Sequence, residues 1–186
     1  MRRTNILKTG RLKSKQQEQG FTLFIVMMVM IVVAFLVVAA TQSYNTEQRI
    51  GVNDADRKFA LELAEAALRK GENDIVDFEA VTFRADCQDG LCASAGSAAV
   101  VVNNLTIEAE TGNTPAWKRM CDSELCIETN GRIYETAAKF SSKKPRYIIE
   151  YIRTQDDGAV IFRVTSRAWG RNKNTVVTLQ SYVQVG

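Results

Sequence analysis

Twenty consecutive positions, Phe21 to Ala40, hold one polar residue, Thr22, and beyond them the apolar residues thin out onto a helical spacing. At about 1.5 Å of rise per residue, the run FTLFIVMMVMIVVAFLVVAA predicts a helix of roughly 30 Å, the thickness of a bilayer's hydrocarbon core. From Thr41 to Lys70 there is no proline, and Val52, Ala55, Phe59, Leu63, Ala66 and Ala67 line one stripe while Asp54, Arg57, Lys58, Glu62, Glu65 and Arg69 fall largely outside it. Arg69 and Lys70 suit the carboxyl end of a helix, and Gly71 can adopt the left-handed turn that closes one. One helix is therefore predicted from Phe21 to about Lys70, spanning the membrane over residues 21–40 and exposed over residues 41–71. Gly51 is its weak point, where it could bend or melt.

The last forty residues change period. Arg146 to Arg153, Ala159 to Trp169 and Thr175 to Val183 are rich in β-branched and aromatic residues, and turns holding Asp156, Asp157 and Gly158, then Gly170, Asn172 and Asn174, separate them. That is an antiparallel meander. Val160, Phe162 and Val164 alternate with Arg163, Thr165 and Arg167, so one face is expected to cover the helix and the other to meet water. The predicted class is α+β: a long amino-terminal transmembrane helix packed on a carboxyl-terminal antiparallel sheet, with residues 72–186 as one small outer domain.

Charge fixes the orientation. Arg2, Arg3, Lys8, Arg11, Lys13 and Lys15 precede the apolar run against the single acid Glu18, and short basic flanks stay on the cytoplasmic side. The whole chain carries 24 Lys and Arg against 21 Asp and Glu, but the excess belongs to residues 1–20; the rest holds 18 bases and 20 acids. A general pull on nucleic acid loses its support. Arg163, Arg167, Arg171 and Lys173 could still form a basic patch on the sheet, without the interleaved aromatics that stack bases, so nucleic acid is not an expected partner. The chain has no histidine, which removes the commonest general base, nucleophile activator and metal ligand. No catalytic residue and no cofactor is expected.

Cys87 and Cys92 bracket QDGL, and Cys121 and Cys126 bracket DSEL. Outside the cytoplasmic membrane an even number of thiols reads as disulfides, and four-cysteine zinc sites more often use two-residue gaps, so no metal is expected. Four cysteines allow three connectivities; the local pairs are preferred because Asp89 and Gly90 can form the turn between Cys87 and Cys92.

The junction before the apolar run narrows the class. A secretory signal has an apolar region of about 7 to 15 residues and a small-residue cleavage site after it. Here the run is longer, and the punctuation, Gln19, Gly20 and Phe21, lies before it. A basic leader, then Gly20 and Phe21-Thr22-Leu23, resembles the type III signal of type IV prepilins. The resemblance implies that a prepilin peptidase removes residues 1–20 by cutting between Gly20 and Phe21 and that Phe21 is then N-methylated. Major pilins carry Glu at the fifth mature position, thought to pair with a neighbouring subunit's terminal amine; this chain has Ile25 there. A buried ion in lipid costs on the order of 3 kcal/mol and is kept only with a partner, so its absence points to a subunit at the tip of an assembly.

LAEAALR late in the helix, with FRVTSRAWG and VVTLQSYV near the end, is similar to the PilX/PilK group of minor pilins, nearest its PilK members and weakest between about Glu72 and Lys144. It implies a minor pilin of the bacterial inner membrane with a single pass, the amino terminus in the cytoplasm and the outer domain in the periplasm or at a pilus tip. The expected partners are other minor pilins, pilus assembly proteins and the peptidase, and the expected role is to start pilus assembly and counter retraction. The alternatives are a tip pseudopilin of a type II secretion system, whose members carry a larger inserted domain, and a tip-exposed adhesin or DNA-uptake receptor working through the loops between Glu72 and Lys144.

Overall fold

The computed structural model describes residues 19–136 and 140–186. The chain runs α1 (Gln19–Val76), β1 (Val81–Phe83), β2 (Leu91–Ala93), β3 (Val100–Val102), β4 (Leu105–Ile107), β5 (Met120–Cys121), β6 (Glu124–Leu125), α2 (Cys126–Thr129), β7 (Arg132–Ile133), β8 (Arg146–Thr154), β9 (Val160–Trp169) and β10 (Val176–Val185). It divides at Ile50 and Gly51 into two units. The architecture is α+β, a long apolar amino-terminal helix followed by a carboxyl-terminal sheet, as its two hydrophobic periods predict.

In the second unit the main sheet has the order β10-β9-β8-β2, with β7 also paired to β8. β8, β9 and β10 form the predicted meander, with Glu150 opposite Arg163 and Gln180 opposite Thr165, and a bulge at Ile152 in β8. β2 joins β8 in parallel, and β1, β4 and β3 make a smaller sheet of their own. Alternation along the meander sends Tyr147, Ile149, Tyr151, Phe162 and Val164 into one core, where Phe83 stacks on Phe162 at 5.7 Å and Phe78 meets both edge-on at 6.0 Å.

The helix reaches this core through small residues. Ala60, Leu63, Ala64 and Ala67 are buried, while Val52 of the predicted stripe is 69% exposed. The buried stripe is thus displaced toward alanines, because a sheet accepts a helix closely only where the side chains between them are short. The same cause extends the helix beyond its predicted end. Gly71 does not close α1, which continues to Val76; a Cβ on Gly71 would lie 2.6 Å from Val164 Cγ1 and 2.9 Å from Tyr147 Cδ2. It is a close-approach glycine in the helix interior. Gly51, the predicted weak point, is helical with open space around its Cα.

Two aspartates fasten α1 to the sheet. Asp74 in its last turn accepts from Tyr147 Oη at 2.5 Å and from Arg132 Nη1 at 2.9 Å, and pairs with Lys70. Burial would raise its pKa, but the hydrogen bonds from Lys70, Tyr147 and Arg132 outweigh it and hold the carboxyl below its ordinary value. Burial and the Asp74 charge push the Tyr147 phenol well up. Asp56, in the second turn of the second unit, accepts from the backbone N–H of Arg171 at 2.6 Å and of Asn172 at 3.3 Å in the β9–β10 turn. The Thr175 side chain, followed by these two amides, holds Asp56 below the usual carboxylate range. A group depressed in this way contributes stability that is present above its unfolded pKa and fades as pH falls through the folded one. Gly170 completes the clamp, since a Cβ there would stand 2.5 Å from the Asp56 carboxylate oxygens.

Gly71→Ala tests the close approach, because two effects oppose each other. Helix propensity favours alanine by up to about 1 kcal/mol, and overpacking costs about 1–3 kcal/mol. With contacts of 2.6 and 2.9 Å to fixed core side chains, overpacking prevails. Urea denaturation of the fragment starting at Gly51 is expected to show a lower midpoint for the variant; a higher one would contradict the packing.

Candidate functional site

Each unit presents one surface that chemistry singles out. In the first, residues 21–40 of α1 are exposed throughout, with Phe21 at 71% and Ile25 at 46%. Among the described residues this is the one helix long and apolar enough to cross a membrane by length and composition. After the run, Thr41 donates its hydroxyl to the Val38 carbonyl at 2.9 Å and Thr46 to that of Gln42 at 3.1 Å, so neither needs a partner outside the helix. Gln19 and Gly20 are already helical, which places the Gly20–Phe21 bond in the first described turn. Presenting that bond to a protease in extended form means unwinding this turn, and glycine makes that least costly. The basic leader, Arg2 to Glu18, lies outside the described residues.

In the second unit the sheet face away from the helix meets water along β10, as the alternation predicted, but not over β8 and β9. Over β8 and β9 it is covered by a cap built from the two cysteine segments, and Glu150 and Thr165 there are 1% and 0% exposed. The structure joins Cys87 to Cys92 and Cys121 to Cys126. The first loop turns through left-handed residues at Cys87, Asp89 and Gly90; at Gly90, φ is +69° and a Cβ would lie 2.9 Å from the Arg132 backbone nitrogen. The second is the two-residue hairpin between β5 and β6, with Asp122 at φ +60°. Cys87, Cys92, Ala116, Cys126 and Ile127 then pack on Ile148, flanked by Trp117 and Leu125. Ile148, in the same alternation as Glu150, is the sequence signal for this cap: an apolar residue on the face read as solvated.

Polar side chains bind the cap to the sheet. Arg119 donates Nη1 to the carbonyls of Ala85 at 2.7 Å and Ala93 at 3.2 Å and Nη2 to Thr114 at 3.2 Å, tying the end of β2 to two loop segments. Sequence reasoning had no pattern from which to find it. Glu150 accepts from Arg163 Nε at 3.0 Å and from the backbone N–H of Ala116 at 3.4 Å, so one buried carboxylate joins β8, β9 and the cap. Burial would lower the Arg163 pKa, but Glu150 outweighs it and holds the guanidinium charged. The rung continues to Tyr182 on β10, and a parallel rung runs from Thr165 to Gln180 at 3.1 Å.

The basic patch predicted from Arg163, Arg167, Arg171 and Lys173 is therefore reduced to Arg171 and Lys173, which are exposed in the β9–β10 turn. Arg163 is paired with Glu150, and Arg167 Nε lies 3.0 Å from Glu128 Oε1, close enough for an ion pair although its N–H is not aimed for a hydrogen bond. Arg171 rests between Phe59 and Phe140 at 5.9 and 5.5 Å. An open cleft of about 770 Å³ beside the cap is lined by Asp86, Asp89, Asn130, Arg132 and Arg146, among others. These groups are engaged with one another: Asn130 donates to the Asp86 carbonyl, Arg132 to that of Asp89 and Arg146 to those of Thr129 and Gly131. Among the described residues no three His, Cys, Asp or Glu side chains are grouped to hold a metal. The second unit can present a shaped surface on a rigid base, and the first supplies an apolar helix.

Comparison with known families accounts for both parts. Residues 19–69 match the PilX N-terminal family, and residues 88–185 match the family described as type IV pilus assembly protein PilX, C-terminal part. No curated protein and no solved structure matches the chain.

Removing one member of a buried pair leaves an uncompensated charge, which costs about 3–5 kcal/mol. Glu150→Ala is therefore expected to destabilise the second unit by on the order of 3 kcal/mol, while Asp157→Ala in the exposed β8–β9 turn costs far less. Urea midpoints of the two variants check this; equal midpoints would mean that the pair does not anchor the cap.

Proposed function

Because the chain belongs to the PilX family of type IV pilus assembly proteins, we propose that it is a minor pilin of the PilK type, acting in a tip complex that starts pilus assembly and counters retraction. The observation that carries this reading is the uninterrupted apolar face of α1 at Ile25. A subunit added behind another gains from a carboxylate that meets the preceding subunit's amine; the first subunit has no such amine to meet. Ile25 removes the cost of an unpaired charge in lipid and with it the means of being added later.

The remaining assignments follow from that role. Prepilin peptidase cuts between Gly20 and Phe21, and Phe21 is methylated. The apolar part of α1 spans the inner membrane once, with residues 1–20 cytoplasmic before processing and residues 72–186 forming a periplasmic domain. That oxidising compartment keeps Cys87 with Cys92 and Cys121 with Cys126. The partners are other minor pilins and assembly proteins, and the role is structural rather than enzymatic. The buried ion pair, the Arg119 ties and the two short disulfide loops support it, since they hold the least regular part of the chain in one shape, as a docking surface requires.

Deleting the gene in a strain that retracts its pili and in one that cannot is the test. Pili are expected to be lost in the first and retained in the second, counted by electron microscopy; normal pili with lost adhesion would replace this reading with a receptor at the tip. Reintroducing the gene with Ile25→Glu is expected to give no more pili than the native gene, and a gain would contradict the tip position.

A further inference from the structure

β10 closes one side of the main sheet without the usual guards against strand addition. Natural edges are kept short or are blunted by Lys, Pro, bulges or a cover. β10, VVTLQSYVQV, runs ten residues with no charge, proline or glycine, and its pairing with β9 is free of bulges. A common strand has about five or six. Among the described residues nothing pairs with its outer side. Its two rows differ. Val177, Leu179 and Val183, which pack toward the core, are left half-buried, while Thr178, Gln180 and Tyr182 on the other row are exposed. A strand laid along this edge completes the burial of the first row.

Length, charge and symmetry decide what can lie there. β2 and β3, at the other sheet margins, have three residues each and β7 has two, so none can match β10 along its length. Among the described residues the one strand of equal length with a free edge is β10 of another copy. Paired in parallel, two copies would bring their exposed Arg171 and Lys173 together at one end of the seam. Antiparallel pairing sends these cations to opposite ends, about 30 Å apart and beyond a Debye length. A two-fold axis normal to the sheet also keeps each row on its own face, so residues whose numbers sum to an even total oppose each other. Centred on Gln180, it sets Val177 against Val183 and Thr178 against Tyr182; centred on Ser181, it sets Leu179 against Val183 and Gln180 against Tyr182. Either register opposes β-branched and aromatic side chains with no charge between them.

We propose that β10 of one copy pairs with β10 of a second copy of this chain, antiparallel about such a two-fold axis, so that two main sheets become one. The interface is isologous and closes as a dimer. It is a property of the second unit and goes beyond the proposed function without resting on it.

Gln180→Cys and Ser181→Cys, each in the full-length chain, test the pairing in cells that lack the native gene. On oxidation with copper phenanthroline, one of the two is expected to yield a species of twice the monomer mass that reduction removes. Val176→Cys is expected to stay monomeric, because the two-fold axis sends the two copies of that residue to opposite ends of the seam. Asp156→Cys, in the exposed β8–β9 turn, is expected to do the same. No dimer from either central variant, a dimer as abundant from Val176→Cys or Asp156→Cys, or an adduct of another mass in place of the dimer would each overturn the pairing. Pili are counted in the same cells, so a normal count without the dimer rejects the pairing and leaves the assembly role standing.

Discussion

The close approach of α1 to the meander is the constraint on which the second unit depends. Ala60, Ala64, Ala67 and Gly71 leave so little between helix and sheet that a single added carbon at Gly71 meets Val164 and Tyr147 inside contact distance. Dispersion and apolar burial reward such closeness, and the interior's density leaves no way to relax it cheaply. Once the helix is seated, Asp74 and Asp56 can reach their partners at either end of its packed segment, and the opposite face of the sheet becomes the one available for the cap. One amphipathic segment thereby sets the position of everything the domain displays.

The cap follows a different principle. Its segments are short and irregular, and apolar burial alone would not specify their shape. They are fixed by bonds that cannot be exchanged for water: two cystines, a carboxylate buried between an arginine and a backbone amide, and an arginine that ties the end of β2 to two loop segments. Breaking any of these leaves buried groups unpaired, which costs more than the bond itself contributes. An assembly subunit that must be recognised by others has reason to keep one loop shape.

Much of this was legible in the sequence, because long runs of one period override local ambiguity. The apolar run from Phe21 and the meander from Arg146 emerged within a few residues of their ends. What misled was residues with two physical uses. Gly71 behind Arg69 and Lys70 has the chemistry of a helix stop, and nothing local distinguishes that from a glycine required by a neighbouring sheet. Arg163 and Arg167 on alternate positions look solvated until their acids, Glu150 and Glu128, are brought beside them by pairing and by the cap. Arg119 was invisible, since its partners are carbonyls of segments that no sequence period defines.

The reading of this chain as a minor pilin requires the apolar rod to be a processed stem and not a permanent anchor. Mass spectrometry of the amino-terminal peptide from the mature protein tests it most directly. The expected peptide begins at Phe21 and carries one additional methyl group. A peptide beginning at Met1, or at a residue beyond Ala40, would contradict it.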